Sequence, residues 1–356
     1  MSELQIDRVL MSAKKLGASD IHLVAGLPPM FRIKGDLRRT ETEELTSDQV
    51  DRVVRMFLDD KQQAELAEAG NVDFSFSGPE ETRFRGNAFV TLGNKALALR
   101  LFSSTIPTPS EIGLPETLQF LMKRKAGLVL VTGSTGSGKT TSIASLLDYI
   151  ARLERKRIIT VEDPYEITLQ NHSSVVSQRY VGKDVRNFPE GLRAMLRQDP
   201  DIIMVGELRD AETAETAVRA AATGHLVVTT LHTKTAPESI DYLIGMFQEN
   251  TQPRIRAMLS TSLLAIICQT LLRTADGEGR MLAYEYVHVQ DAVRNMIRKG
   301  ESHRIVSVIE TGRNLGMQRM DDHLFELAKA GKVRVEDAIA AANDPATLNK
   351  RLEEKQ

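Results

Sequence analysis

The sequence of 356 residues contains a single cysteine and no long hydrophobic run. One cysteine excludes an intramolecular disulfide and a zinc site built from several cysteines. Cys268 itself lies in an apolar run and is predicted to be a core residue. No apolar stretch approaches the roughly 18 residues that a membrane-spanning helix needs, and residues 1–5 lack the features of a signal peptide. We therefore predict a cytoplasmic protein.

An excess of positive charge is also lacking. The formal net charge of −2 gives the chain no overall attraction to nucleic acid or to an anionic membrane. Hydrophobic residues make up 42% and charged residues 26%, which is typical of globular proteins and excludes a disordered chain. Composition therefore favours protein or small-molecule partners and predicts no nucleic acid.

The length favours two domains, at the usual size of roughly 100 to 200 residues each. Residues 1–102 mix helical and strand patterns and predict an N-terminal α+β domain. Residues 103–110 hold two prolines among Ser and Thr, which favours an extended linker or hinge. Residues 111–287 alternate short apolar runs with helical segments, which is typical of a largely parallel sheet with crossover helices. Residues 288–356 carry helical patterns and predict a C-terminal helical region.

A phosphate-binding loop motif, G-x-x-x-x-G-K-[ST], occupies residues 133–140. It follows an apolar strand pattern and precedes a helical pattern, which is the structural context that the motif requires. Lys139 is expected to contact the terminal phosphates of ATP, and Thr140 can ligate Mg²⁺. The predicted nucleotide-binding residues are Gly133, Ser134, Thr135, Gly136, Ser137, Gly138, Lys139, Thr140 and Thr141. This motif predicts an ATP hydrolase.

Two predicted strands end in acidic residues that are candidates for catalysis. Glu207 ends one of them, where a carboxylate can orient water against the terminal phosphate, so it is the candidate base. The usual arrangement places an Asp directly before this Glu to hold Mg²⁺ through water, whereas this chain has Gly206. Glu162 or Asp163, at the end of the other strand, can supply the missing magnesium shell, Glu162 through water. The alternative is that these acids are ordinary polar strand ends in solvent.

Residues 223–233 place His225 and His232 at the two ends of a short apolar strand. Either histidine can sense phosphate or bridge to a neighbouring subunit, and Thr223 joins them as a candidate. A lone histidine is more often structural. Their odd separation puts the two rings on opposite faces of the strand, so they make a poor shared metal site.

The order and spacing of the phosphate loop, the two acidic segments and the histidine segment resemble the secretion ATPase superfamily. Within it, nearly the whole chain resembles the PilT-type retraction ATPases of type IV pili. Residues 292–298, Ala-Val-Arg-Asn-Met-Ile-Arg, are similar to that family's C-terminal helix sequence Ala-Ile-Arg-Asn-Leu-Ile-Arg. The similar N-terminal segments are residues 19–23, 26–29 and 83–85. Extension and secretion motors usually carry a four-cysteine metal element, which the single cysteine excludes.

The resemblance implies a RecA-like P-loop ATPase domain that follows a smaller, PAS-like α+β domain. It also implies a hexameric ring with ATP at the subunit interfaces, where arginines help to complete the site. Arg83, Arg85 and Arg100 are similar to the family's basic strand positions, and the planar guanidinium suits phosphate. The alternative for each arginine is an ordinary exposed strand face.

For function, the resemblance implies a motor that couples ATP hydrolysis to pilus retraction and twitching motility. The motor is expected at the inner face of the bacterial inner membrane, peripheral to it. Its expected partner is the pilus platform protein, with a paralogous retraction ATPase as a further candidate. Two alternatives stay open, an accessory retraction paralogue and a RecA-like nucleic-acid translocase. Intact Lys139, Glu162 and Glu207 argue against a non-hydrolysing accessory protein, and the weakly acidic composition argues against a translocase.

Overall fold

A computed structural model describes residues 5–33, 35–102 and 105–354. The chain divides into an N-terminal unit, Met1–Thr105 with Glu166–Thr168, and a C-terminal unit, Ile106–Tyr165 with Leu169–Gln356. The first two residues of the predicted linker, 103 and 104, lie outside the described residues. Within the part of the chain that is described, no helix has the length and apolar character to cross a membrane.

The N-terminal unit is built on an antiparallel sheet of six strands in the order β3-β2-β1-β6-β5-β4. The strands are β1 Ala18–Val24, β2 Met30–Ile33, β3 Asp36–Arg39, β4 Asn71–Ser77, β5 Arg83–Thr91 and β6 Asn94–Leu101. The helices are α1 Ile6–Lys15, α2 Ser47–Phe57 and α3 Asp60–Ala69, with a 3-10 turn at Pro79–Glu81. Helix α1 ends at Lys15 and is followed by Gly17, whose φ of 65° is the left-handed conformation that favours glycine. The predicted α+β class is confirmed.

The C-terminal unit contains a sheet of seven strands in the order β13-β12-β7-β11-β10-β8-β9. The strands are β7 Gly127–Thr132, β8 Arg157–Glu162, β9 Val175–Tyr180, β10 Ile202–Val205, β11 Leu226–Leu231, β12 Leu263–Arg273 and β13 Arg280–His288. Every neighbouring pair is parallel except β12 and β13, which are antiparallel. The sheet is therefore largely parallel, as predicted.

Helices cover both faces of this sheet. Consecutive side chains of β7 show this, because Leu128 and Leu130 pack into one buried cluster whereas Val129 and Val131 pack into another. The helices are α4 Glu116–Leu121, α5 Lys139–Leu153, α6 Phe188–Met195, α7 Ala211–Ala222, α8 Ala236–Gly245, α9 Gln252–Ser262, α10 Asp291–Lys299, α11 Ile305–Thr311, α12 Met320–Lys329, α13 Val335–Ala341 and α14 Pro345–Glu353; 3-10 turns lie at Ser302–Arg304 and Arg313–Leu315. The result is a three-layer α/β domain with a helical C-terminal end.

Candidate nucleotide-binding site

The phosphate loop connects β7 directly to α5. Strand β7 is buried at all six positions, and α5 begins at Lys139 after Gly138, whose φ is 90°. Gly136 has a φ of 80°, so the loop uses left-handed backbone twice just before the helix. Left-handed glycines followed directly by a helix N-terminus, whose first N–H groups have no partner within the helix, suit a phosphate group.

Gly133 is required by close packing as well as by its backbone angle of 142°. A Cβ atom at this position would lie 2.3 Å from the backbone oxygen of Gln269 and 2.6 Å from Oγ of Ser137. Neither distance is compatible with a side chain. The loop therefore begins pressed against β12, the strand that pairs with β7 on one side.

Lys139 and Ser137 place polar groups inside the loop. The Lys139 ammonium donates from Nζ to the carbonyl oxygens of Gly133 and Ser134, at 2.7 and 2.9 Å. Ser137 is buried, and its Oγ has no hydrogen-bond partner among the described residues. Thr140 and Thr141 are half-buried in the first turn of α5. The loop thus holds a cation and an unsatisfied hydroxyl where a phosphate would lie, which fits ATP.

Glu207 lies just beyond the carboxyl end of β10, at the same sheet edge as the phosphate loop. One strand, β11, separates β10 from β7, so the two strands are about 10 Å apart at the usual spacing. The carboxylate of Glu207 forms an ion pair with Nη2 of Arg209, and His232 Nε2 lies 3.6 Å from its other oxygen. Glu207 raises the pKa of Arg209 through this hydrogen bond. The structure therefore brings Glu207 and His232 together.

Gly206 is held against the neighbouring strand β8. A Cβ atom here would lie 3.3 Å from the oxygen of Val161, 3.4 Å from Cα of Glu162 and 3.5 Å from the ring of Phe188. The position usually filled by Asp in P-loop enzymes is therefore crowded in this chain. Packing of β10 on β8 gives a physical reason for the departure from the usual pattern.

Glu162 is a buried carboxylate at the end of β8. Its Oε1 accepts hydrogen bonds from Thr160 Oγ1 at 2.5 Å and from Gln178 Nε2 at 3.1 Å. Two strands lie between β8 and β7, so Glu162 stands about 14 Å from the loop strand measured across the sheet. Carboxylate and hydroxyl oxygens are ligands suited to Mg²⁺, which binds few protein groups and keeps several waters. Thr140 and Glu162 thus have suitable donor chemistry for this ion.

His225 and Thr223 lie at the opposite edge of the sheet from the phosphate loop. His225 precedes β11, and its carbonyl accepts from the backbone N–H of Gly127, the first residue of β7. The length of β11 therefore separates it from His232, about 20 Å along the strand. Thr223 ends α7, where its hydroxyl donates to the carbonyl of Arg219. The structure does not bring these two residues to the loop, and only their proposed interface role stays open.

Arg83, Arg85 and Arg100 lie on one face of the N-terminal sheet. Arg83 and Arg85 are two residues apart on β5, and Arg85 is directly opposite Arg100 on β6. Arg83 donates to Ser77 Oγ at 3.1 Å, and Arg100 pairs with Asp20 at 2.8 Å. Arg85 and Arg100 are exposed. The three form a basic surface of their own unit.

Arg209 is a functional candidate that the sequence pattern alone did not indicate. It follows Glu207 by two residues and also lies 3.8 Å from Asp163. The sequence could have indicated this contact, because an arginine two residues after a candidate catalytic carboxylate can reach it across a turn. Arg209 therefore lies close to the carboxylates that follow both β8 and β10.

Comparisons with known proteins agree with this geometry. The family described as Type II/IV secretion system protein matches residues 2–323. The chain is 42% identical to the Type IV pilus retractation ATPase PilT of Pseudomonas aeruginosa, over 96% of this chain and 99% of that protein. It is 39% identical to a twitching motility protein of Neisseria gonorrhoeae, over 92% and 87% of the two chains. The crystal structure of the pilus retraction motor PilT with bound ADP is similar with a TM-score of 0.90 and 44% identity, over 98% and 100% of the two chains.

Proposed function

The chain belongs to the type II/IV secretion system protein family and is an ATPase, and from this premise we propose that it retracts type IV pili. The retraction motor would convert ATP hydrolysis into withdrawal of pilin subunits from the base of the fibre. The observation that supports the proposal is the placement of the phosphate loop with Lys139, and of the Glu207–His232 pair, at the carboxyl ends of three neighbouring parallel strands, β7, β11 and β10. The resemblance of the whole chain to retraction motors then specifies the work that the ATPase performs.

In the proposed reaction, the loop binds the phosphates and Glu207 activates water. The loop N–H groups and Lys139 hold the β- and γ-phosphates, for which Lys139 exchanges its contacts with the Gly133 and Ser134 carbonyls for phosphate oxygens. Glu207 accepts a proton from the attacking water while the bond from the γ-phosphorus to the bridging oxygen breaks. His232 is placed beside Glu207 to contact the terminal phosphate.

Magnesium is part of the proposal. Mg²⁺ supplies charge neutralisation at the phosphates when bound. Thr140 would ligate the ion directly, and Glu162 would hold one of its waters. Glu162 is already oriented by Thr160 and Gln178, so the water position would be fixed before nucleotide binds.

The proposed working form is a hexameric ring. In it, Arg83, Arg85 and Arg100 of one subunit would meet the nucleotide held by a neighbour, since guanidinium groups neutralise phosphate charge. This assignment is supported by the shared sheet face on which the three arginines lie, where Arg85 and Arg100 are exposed. Residues His225 and Thr223, remote from the loop, would act at a subunit interface.

The proposed location is the cytoplasmic face of the inner membrane, where the ring would act on the pilus platform protein. ATPase assays on the purified chain test the enzymatic part, with and without DNA. We expect hydrolysis that DNA does not stimulate. Stimulation by DNA would favour a nucleic-acid translocase, and lack of hydrolysis by the wild-type chain would favour an accessory paralogue.

A further inference from the structure

A basic cleft lies in the C-terminal unit, outside the residues assigned to ATP. It has a volume of about 480 Å³ and lies between β13, α10 and α11. Arg124, His288, Asp291 and Arg294 line it together with the apolar side chains of Val308, Leu315 and Met317. This volume falls within the range of small-molecule sites, roughly 300 to 1,000 Å³.

The positive charge in the basic cleft is poorly neutralised by the protein. Nε of Arg294 is buried and has no hydrogen-bond partner among the described residues. Nη1 of Arg294 is 3.6 Å from Asp291, but the Asp291 side chain is fully exposed to solvent, so the pair is weak. In the part of the chain that is described, Arg124 has no ion-pair partner. Buried donors normally have acceptors, so Nε of Arg294 is suited to an anionic ligand.

His288 lines the same cleft as the two arginines. Burial lowers the pKa of His288, and the charges of Arg124 and Arg294 lower it further. The imidazole is thus neutral at neutral pH and can donate or accept one hydrogen bond. The basic cleft therefore offers two guanidinium groups and one neutral hydrogen-bonding group beside an apolar wall.

We propose that the basic cleft binds a small organic anion, whose phosphate or carboxylate meets Arg124 and Arg294 while its apolar part lies on Val308, Leu315 and Met317. Both headgroups match the guanidinium fork. The apolar wall favours an organic ligand over a bare inorganic ion. The proposal is independent of pilus retraction, since it uses none of the residues of the phosphate loop.

Binding of simple probes to the full chain tests the proposal. The Lys139→Ala variant is used as background so that probes do not bind the phosphate loop. Isothermal calorimetry at low salt compares phenyl phosphate, benzoate, inorganic phosphate and neutral phenol. We expect one site per chain for phenyl phosphate or benzoate, with the tighter of the two identifying the headgroup, and weaker binding of phosphate and phenol.

Variants locate the site. Arg124→Ala and Arg294→Ala should each weaken binding at least about tenfold, about 1.4 kcal/mol. Arg298→Ala is the matched control, because Arg298 is exposed on the same helix and does not line the cleft. If Arg294→Ala fails to fold, Arg124→Ala decides, since Arg124 is exposed in a loop. The proposal is overturned if no anionic probe binds, if phenol or phosphate binds as well as the organic anions, or if both arginine variants bind like Arg298→Ala.

Discussion

The carboxylate of Glu207 is held by the guanidinium of Arg209, two residues further along the chain. The same arginine lies near Asp163, and the other carboxylate oxygen of Glu207 lies near His232. The candidate base thus pairs with Arg209 and lies among side chains at the carboxyl ends of three strands, β8, β10 and β11.

Glu207→Gln should abolish most hydrolysis while leaving ATP binding intact. An amide of the same shape cannot accept a proton from water, and general base catalysis typically contributes about 10² to 10⁴ in rate. Steady-state ATPase rates and binding of a fluorescent ATP analogue measure the two properties. Glu212→Gln, at an exposed acid on α7, is the control and should behave as wild type. Hydrolysis by Glu207→Gln at the wild-type rate would remove Glu207 as the base.

Lys139→Ala should lose nucleotide affinity rather than only turnover. The ammonium lies within the loop, and a hydrogen bond to a charged group contributes about 1.5 to 3 kcal/mol. We therefore expect ATP affinity to fall at least about tenfold. The control is Lys125→Ala, at an exposed lysine before β7. Equal affinities for the two variants would contradict the assignment of the loop.

Gly206→Ala should destabilise the protein because the added methyl group meets the backbone of β8 at 3.3 to 3.4 Å. Overpacking of this kind costs about 1 kcal/mol or more, measured as the free energy of unfolding in urea. Gly245→Ala is the matched control, since open space surrounds a Cβ atom there. A Gly206→Ala variant as stable as wild type would show that packing does not explain the missing Asp.

Glu162→Gln should raise the Mg²⁺ concentration needed for half-maximal hydrolysis, by about tenfold or more, as for other groups that orient metal ligands. The amide keeps the acceptor that Thr160 uses, so the fold should survive. Asp163→Asn is the discriminating variant. If Asp163→Asn raised this Mg²⁺ concentration and Glu162→Gln did not, Asp163 would be the residue that helps to hold the ion.

The pattern of residues predicted the elements with strong local signals. Strand β7, the loop and α5 could be predicted because the apolar run and the glycines act locally. The pattern of apolar residues does not predict helix α3, because only Leu66 on this helix is buried. The helix begins with a capping box formed by Asp59 and Gln62. Strand β9 could not be predicted because its side chains are exposed or half-buried on an edge strand, without alternation.

In the site, residue types could be predicted but their spatial order could not. The sequence does not say that β11 lies between β7 and β10, since strand order depends on how the crossovers pack. The remote position of His225 was foreseeable from strand direction, because a residue that precedes a parallel strand lies at the edge opposite the phosphate loop. The pairing of Glu207 with Arg209 depends on the turn after β10.

Because of His323, the free energy of unfolding should decrease as the pH is lowered from 6.5 to about 4. Burial lowers the pKa of His323 from 6.5 to about 4, and its Nδ1 accepts from the backbone N–H of Tyr284 at 3.1 Å. The unfolded chain binds a proton near pH 6.5 and the folded chain only near 4, so the stabilisation is present above the first value and lost below it.

The free energy of unfolding, measured against pH, checks this prediction. His323→Gln should flatten the slope in that window, whereas His303→Gln, at an exposed position, should not. An unchanged slope in His323→Gln would assign the pH dependence to other groups, such as His22 and His288, whose pKa values are lowered mainly by burial.

Gene deletion with complementation tests pilus retraction most directly. Surface pili and twitching motility are scored in the deletion strain, and again with the wild-type chain or Glu207→Gln returned. We predict that the deletion strain keeps its surface pili and loses twitching, and that wild type but not Glu207→Gln restores movement. Absence of surface pili in the deletion strain would contradict retraction and point to pilus extension.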